Sequence, residues 1–197
     1  MYQPNFRGSS GYGSAFLGAG DGQWGRRMQE DISEGVRKLA TDGLADPKRV
    51  CIVGGSYGGY AALVGATLTP DLYACAVSVA GIANVSSVID PDDPQSVAYW
   101  QPRLGNRYDR ATLRSISPQF HADKVRAPVM LIHGRDDTVV KISQSRQMAQ
   151  ALRATGKRVE LVELEGEDHW LSGAQTRTMM LARSIAFIDK HIGGEAD

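Results

Sequence analysis

The sequence predicts an α/β fold, a mostly parallel sheet with helices on both faces, and three observations lead there. Four short, continuous apolar runs alternate with longer segments of helical periodicity. The runs are rich in valine, isoleucine and leucine without polar alternation, as strands buried on both faces require. Apolar residues make up 42 % of 197 residues and charged residues 22 %, enough for a single domain, residues 1–197, with a sizeable core.

The elements follow in order. Gly8, Gly11, Gly13, Gly18, Gly20, Gly22 and Gly25 crowd the first segment, which reads as loop. From Trp24 the apolar positions Met28, Ile32, Val36 and Leu39 recur at helical spacing, with Gly43 and Pro47 closing the helix. Val50–Val53 is a buried strand ending at Gly54-Gly55, and Tyr57–Leu68 a helix stopped before Pro70. Tyr73–Ala80 is a second strand. Residues 82–118 read as a long irregular stretch, a segment type that often forms a lid or pocket wall. Pro128–Ile132 and Arg158–Leu164 are further strands. They alternate with a helix over Ser143–Ala154 and a last one over about Ala174–Ile192, burying Leu181, Ile185, Ile188 and Ile192.

Charge and composition exclude several functions. Lys+Arg and Asp+Glu both number 22, so neither a nucleic-acid partner nor a polybasic membrane contact is expected. No run approaches the roughly 18 apolar residues of a membrane span. Cys51 and Cys75 lie in apolar runs and read as core residues rather than a disulfide framework. The start, Met1-Tyr2-Gln3-Pro4, has no basic region and no apolar signal segment, which predicts a cytoplasmic protein.

Chemistry concentrates at strand ends. Gly54-Gly55-Ser56-Tyr57-Gly58 stands between a buried strand and a helix, the context in which G-x-S-x-G presents a nucleophile. Its glycines permit a sharp turn, and the Tyr57 N–H, one residue on, is the natural oxyanion donor. A serine nucleophile needs a base and an orienting carboxylate, here expected at later strand ends and in the order acid, then histidine. Asp136 or Asp137 follows one strand and His169 follows the next; spacing alone does not separate the two aspartates. His133 reads as shaping a turn, His121 as a surface or packing residue and His191 as a solvent-facing residue of the last helix. Gly18-x-Gly20-x-Gly22 has no strand before it and the wrong spacing for a dinucleotide loop. No His, Cys or carboxylate cluster has metal-ligand spacing. Neither a metal nor a cofactor is expected.

Asn5-Phe6-Arg7-Gly8-Ser9-Ser10-Gly11-Tyr12-Gly13, Trp24-Gly25, Gly54–Tyr60, Ser117-Pro118, His133–Val140 and Gly166–His169 together resemble the catalytic domain of the prolyl oligopeptidase family. The acylaminoacyl-peptidase and dipeptidyl-peptidase-like branches are the most similar. The resemblance covers essentially the whole chain and implies an α/β-hydrolase fold. It assigns the acid to Asp137, four residues after His133 and three before Val140. It implies a peptidase acting on short peptides, with Ser56, Asp137 and His169 as its triad; Tyr99 and Trp100, from the stretch over 82–118, are read as lining the substrate pocket or packing the lid. Two other readings stay open: a carboxylesterase on short-chain esters, and an interaction module with a vestigial triad. Family members carry further strands, a second oxyanion loop and a β-propeller ahead of the matching segment. Without those strands, an exposed sheet edge predicts a homo-oligomer. Without the second donor, turnover is expected to fall by about 10²–10³.

Overall fold

The computed structural model describes residues 1–105 and 109–193. Along the chain it forms α1 (Ser14–Gly18), α2 (Arg27–Thr41), β1 (Cys51–Gly55), α3 (Tyr57–Leu68), β2 (Cys75–Val79), α4 (Pro94–Leu104), α5 (Arg110–Ser115), β3 (Val129–Gly134), α6 (Ser143–Ala154), β4 (Val159–Leu164) and α7 (Ala174–Ile192). Single 3-10 segments occupy Val85–Val88 and Pro118–Lys124. These elements divide into two compact units, Met1–Ala45 with Asn84–Ser117, and Asp46–Ala83 with Pro118–Asp197.

The second unit holds the parallel sheet, in the order β1-β2-β3-β4. Alternate residues of each strand serve opposite faces. On one face Ala76, Val129 and Leu131 meet Leu63 and Ala66 of α3 and Met148, Ala149 and Leu152 of α6. On the other, Val77, Val79, Met130, Ile132 and Leu164 meet Phe187 of α7. Helices therefore cover both faces, and the two central strands are buried along their whole length. α3 is buried almost throughout, from Gly59 to Thr67, which explains its alanine-rich composition and the hydroxyl of Thr67 turned back onto Leu63 O at 2.9 Å.

α7 has the predicted ends but not the predicted face. Ser184 and Phe187 are buried, with Met180 and Ile188 packed beside them, while Leu181 and Ile185 are exposed. Two apolar stripes compete on this helix, and the sheet accepts the one carrying the large Phe187 ring. Ser184 is tolerated there because its hydroxyl donates to Met180 O at 2.8 Å.

The cysteines also differ from expectation. They do lie in the core, but they are joined: parallel register sets Cys51 opposite Cys75 with Cα atoms 4.6 Å apart, and a disulfide links them. The sequence argument weighed cysteine number, whereas strand register decides the pairing. β1 is thereby tied covalently to β2 just before the turn that carries Ser56.

In the first unit, α2 buries Met28, Ile32 and Val36 as predicted, together with Gln29 and Ser33. Arg7 grips Asp31 of α2 through two bonds of 2.7 Å, which raises the guanidinium pKa and lowers that of the carboxyl. The glycine-rich segment contains the short α1. The stretch over 82–118 is largely helical rather than irregular. Asp93 caps α4 by accepting Gln95 N–H and Ser96 N–H, Pro94 occupies its first turn, and Asp109 caps α5 through Thr112 N–H. These are ordinary helix-start signals, hidden in the sequence by the prolines around them.

The disulfide gives a direct test. Cys51→Ala/Cys75→Ala should lose about 2–4 kcal/mol of stability in urea unfolding, because a crosslink spanning 24 residues no longer restrains the unfolded chain. Unfolded wild type should show no thiol until a reductant is added.

Candidate active site

β1 delivers the chain into a turn that no ordinary sequence could make. Ser56 takes φ 54° and ψ −116°, a left-handed conformation rare for a residue with a side chain. The turn is held from both sides: Ser56 N–H donates to Val79 O at 2.9 Å, and Ser56 O accepts Tyr60 N–H at 3.0 Å. Strand and helix approach so closely here that a Cβ on Gly54 would overlap the Gly58 backbone. A Cβ on Gly59 would meet Gly81 and Val79 O. Contact thus requires glycine at 54 in the G-x-S-x-G motif, whereas a Cβ on Gly58 would meet nothing within 4 Å.

The ends of β3 and β4 supply the partners. After β3 the chain turns through Gly134-Arg135-Asp136 to Asp137, which is buried with 5 % exposure. Asp137 Oδ1 accepts Val139 N–H at 2.9 Å and Val140 N–H at 2.8 Å. Its Oδ2 lies 2.7 Å from His169 Nδ1, and His169 Nε2 lies 3.0 Å from Ser56 Oγ. With the aspartate ionised, Nδ1 carries the proton and Nε2 is left to accept one from the serine.

The two loops are fastened to each other. Arg135 N–H donates to Leu164 O at 2.9 Å and Asp136 N–H to Glu167 O at 3.0 Å. A side chain at Gly134 would collide with the Glu167 carbonyl, so the acid loop fits against the histidine loop only with glycine there. Glu167, buried with 2 % exposure, secures the histidine loop from below. Its carboxylate accepts Asp168 N–H at 3.0 Å, Gly173 N–H at 3.2 Å and the Thr176 hydroxyl, and these bonds hold its pKa down. It also lies at the N-terminus of α7, where negative charge is favoured. Asp168 ties the other side of the loop through Trp170 N–H at 2.9 Å and the Ser172 hydroxyl at 2.7 Å.

Ser56, Asp137 and His169 are brought together as the sequence predicts. Asp136 is exposed, and only Asp137 reaches the imidazole. Tyr57 is the first residue of α3, whose first-turn N–H groups point out of the helix beside Ser56. Its phenol is buried enough to push its pKa well above the usual tyrosine range. Tyr99 and Trp100 belong to the first unit. There Trp100 meets Tyr99 and Trp24 edge-on at 5.1 and 5.5 Å, and Arg103 stacks over the Tyr99 ring at 3.8 Å. His121 lies in the 3-10 segment Pro118–Lys124. His191 is partly buried, edge-on to Phe187 at 4.6 Å.

Several neighbours escaped the sequence reading. Ser145 carries no motif, and Glu167 stands in the Gly166–His169 segment without a role assigned to it. Trp170, exposed and edge-on to His169 at 5.4 Å, had its adjacency to the histidine as a signal. Among the described residues, no group of three or more His, Cys, Asp or Glu is arranged to hold a metal ion, and no helix is long and apolar enough to cross a membrane.

Comparison with known proteins agrees with this geometry. Residues 1–195 match the prolyl oligopeptidase family. The chain is 36 % identical to dipeptidyl peptidase family member 6 of Caenorhabditis elegans, covering 99 % of this chain and 27 % of that protein. It is 33 % identical to dipeptidyl aminopeptidase BIII of Pseudoxanthomonas mexicana, covering 98 % and 29 %. A puromycin-hydrolyzing peptidase of Mycobacterium tuberculosis superposes with a TM-score of 0.88 at 31 % identity, over 97 % of this chain and 29 % of that one. The chain thus spans less than a third of the length of these relatives.

One ion cluster links the acid loop to the sheet and yields a pH prediction. Glu163 on β4 bonds Arg135 of that loop at 2.9 Å and Arg146 of α6 at 2.8 and 2.7 Å. Bonding to Arg146, then to Arg135, lowers its pKa from 4.5 to about 2. The folded-state value lies below the unfolded one, so the stabilisation is present above pH 4.5 and lost as pH falls towards 2. Glu163→Gln should therefore be less stable than wild type at pH 7. Urea midpoints of the two proteins should converge as the pH is lowered through that window.

Proposed function

The chain belongs to the prolyl oligopeptidase family, and from that premise we propose that it is a serine peptidase acting on short peptides through an acyl-enzyme. The observation that carries the reading is the unbroken relay from Ser56 Oγ to His169 Nε2 at 3.0 Å and from His169 Nδ1 to Asp137 Oδ2 at 2.7 Å. The peptidase relatives support peptides as the substrate class.

The chemistry follows the relay. Ser56 Oγ attacks the scissile carbonyl while His169 Nε2 takes its proton, and Asp137 stabilises the imidazolium that forms. The tetrahedral oxyanion forms beside the N-terminus of α3, with Tyr57 N–H as its proposed donor. Collapse of this intermediate breaks the C–N bond, and His169 returns the proton to the departing amine. Water then enters, gives a proton to His169 and attacks the ester. The acid leaves as Ser56 recovers its hydrogen.

Two further parts of the proposal concern surroundings. β1 is an edge of the described sheet and Val53 on it is 49 % exposed, so we propose self-association through this edge into a homo-oligomer. A persistent Cys51–Cys75 bond favours an oxidising compartment over the cytoplasm, because disulfides belong mainly to oxidising compartments.

Aminoacyl and dipeptidyl p-nitroanilides, with p-nitrophenyl acyl esters beside them, test the activity. Ser56→Ala should lower kcat by about 10⁶ and Asp137→Asn by about 10⁴. Wild-type turnover that survives Ser56→Ala would refute the proposal, and turnover of esters with none of anilides would turn it to a carboxylesterase. For the edge, sedimentation velocity should show association rising with concentration; a monomer throughout contradicts that part.

A further inference from the structure

His133 is a buried histidine that the relay does not use. It ends β3, and its ring has no exposed surface. Three neighbours take up both of its nitrogens. Nδ1 lies 2.7 Å from Ser145 Oγ on α6, while Nε2 lies 2.7 Å from Val140 O and 3.2 Å from Asp137 Oδ2. A carbonyl oxygen can only accept, so Nε2 carries the proton. Nδ1 then holds the lone pair, and the Ser145 hydroxyl donates to it. Burial lowers the pKa of this imidazole and keeps it neutral.

The consequence lies at Asp137. Two backbone N–H groups fix Oδ1, both from the turn that follows the aspartate itself. Those bonds set Oδ1 relative to its own turn, but they do not tie that turn to the sheet. His133 does so twice over. It holds Val140 by the carbonyl at 2.7 Å, whose own N–H is one of the Oδ1 donors, and the same Nε2–H is shared with Oδ2 at 3.2 Å. With His169 on the same oxygen, Oδ2 has one donor from each side, and the carboxylate plane is set from the end of β3.

We infer that His133 is a positioning residue for hydrolysis: its Nε2–H, directed by Ser145, anchors Val140 and Asp137 Oδ2 so that the carboxylate faces His169. This rests on the acyl-enzyme reading above. The magnitude at stake is set by geometry, since a misplacement of about 1 Å in a catalytic array can cost about 10² in rate. Ser145 acts one step further back. Without its hydroxyl Nδ1 loses its donor, and the ring is held from the Nε2 side alone.

The experiment compares wild type, His133→Leu, His133→Gln, Ser145→Ala and the Ser145→Ala/His133→Leu double variant. Each is normalised by titrating active sites with a fluorophosphonate, and kcat and KM are measured on one p-nitrophenyl ester. Leucine fills the space without a donor, whereas the glutamine amide offers an N–H near the Nε2 position. His133→Leu should lower kcat per titrated site about 10–100-fold with KM changed less than twofold. His133→Gln should recover most of that loss. Ser145→Ala should cause a smaller fall, and the double variant should lose no more than His133→Leu alone, because the two residues act as one unit. A merely structural role would lower the number of titratable sites and leave kcat per site unchanged; that result overturns the inference. Equal losses for leucine and glutamine also overturn it. If His133→Leu does not fold, a kcat per titrated site in Ser145→Ala equal to that of wild type overturns it. A wild type that the fluorophosphonate fails to label at Ser56 defeats the underlying acyl-enzyme reading instead.

Discussion

Ser56 stands at φ 54° and ψ −116°, and much of the second unit is arranged to keep it there. Such a conformation costs an L-residue on the order of 1–3 kcal/mol and persists only where its surroundings over-determine it. Here β2 accepts its N–H through Val79 O, α3 returns a bond to its carbonyl, and glycines at 54, 59 and 81 let the backbones close in. Ser78, buried in β2, adds a bond to Gly59 O at 3.0 Å from beneath the turn. The strain projects the hydroxyl off the sheet edge, where partners from two other strand ends can reach it.

Those partners are positioned by backbone fastening more than by charge. The acid and histidine loops share hydrogen bonds through Arg135, Asp136, Leu164 and Glu167, and the close fit at Gly134 leaves no slack between them. Each loop also has its own buried ionisable anchor, His133 for one and Glu167 for the other. Both anchors have their polar atoms satisfied, which buried groups of this kind require if they are not to destabilise the fold. The parallel sheet makes this economical. Its strands all end on one side, so three short loops suffice to assemble a serine, an acid and a base.

The sequence disclosed this arrangement unevenly, for physical reasons. Strands β1 to β4 were legible because continuous apolar runs bounded by glycine have few other readings. Ser56 was legible because it follows such a run directly, and His169 because it lies in the loop after the last one. Asp137 needed the family resemblance, since Asp136 has the same chemistry one position away and only the turn geometry separates them. α4 and α5 were hidden by proline and aspartate, residues that suggest loops but here start helices. The exposure of Leu181 and Ile185 on α7 was not legible, because they continue the stripe of Ile188 as well as Met180, Ser184 and Phe187 do. Cys51–Cys75 depends on strand register, and the contacts of His133 and Glu167 on the folding of the loops after β3 and β4, which no hydrophobic period records.

The account stands or falls on a covalent bond to Ser56. Mixing the protein with p-nitrophenyl acetate, quenching in acid within the first turnover and mapping the added mass by peptide sequencing measures it directly. The account predicts one acetyl group on the peptide carrying Ser56, localised to its hydroxyl, and none when His169 is replaced by alanine. Hydrolysis that proceeds with Ser56 unmodified, or an acetyl group trapped on another residue in its place, would contradict it.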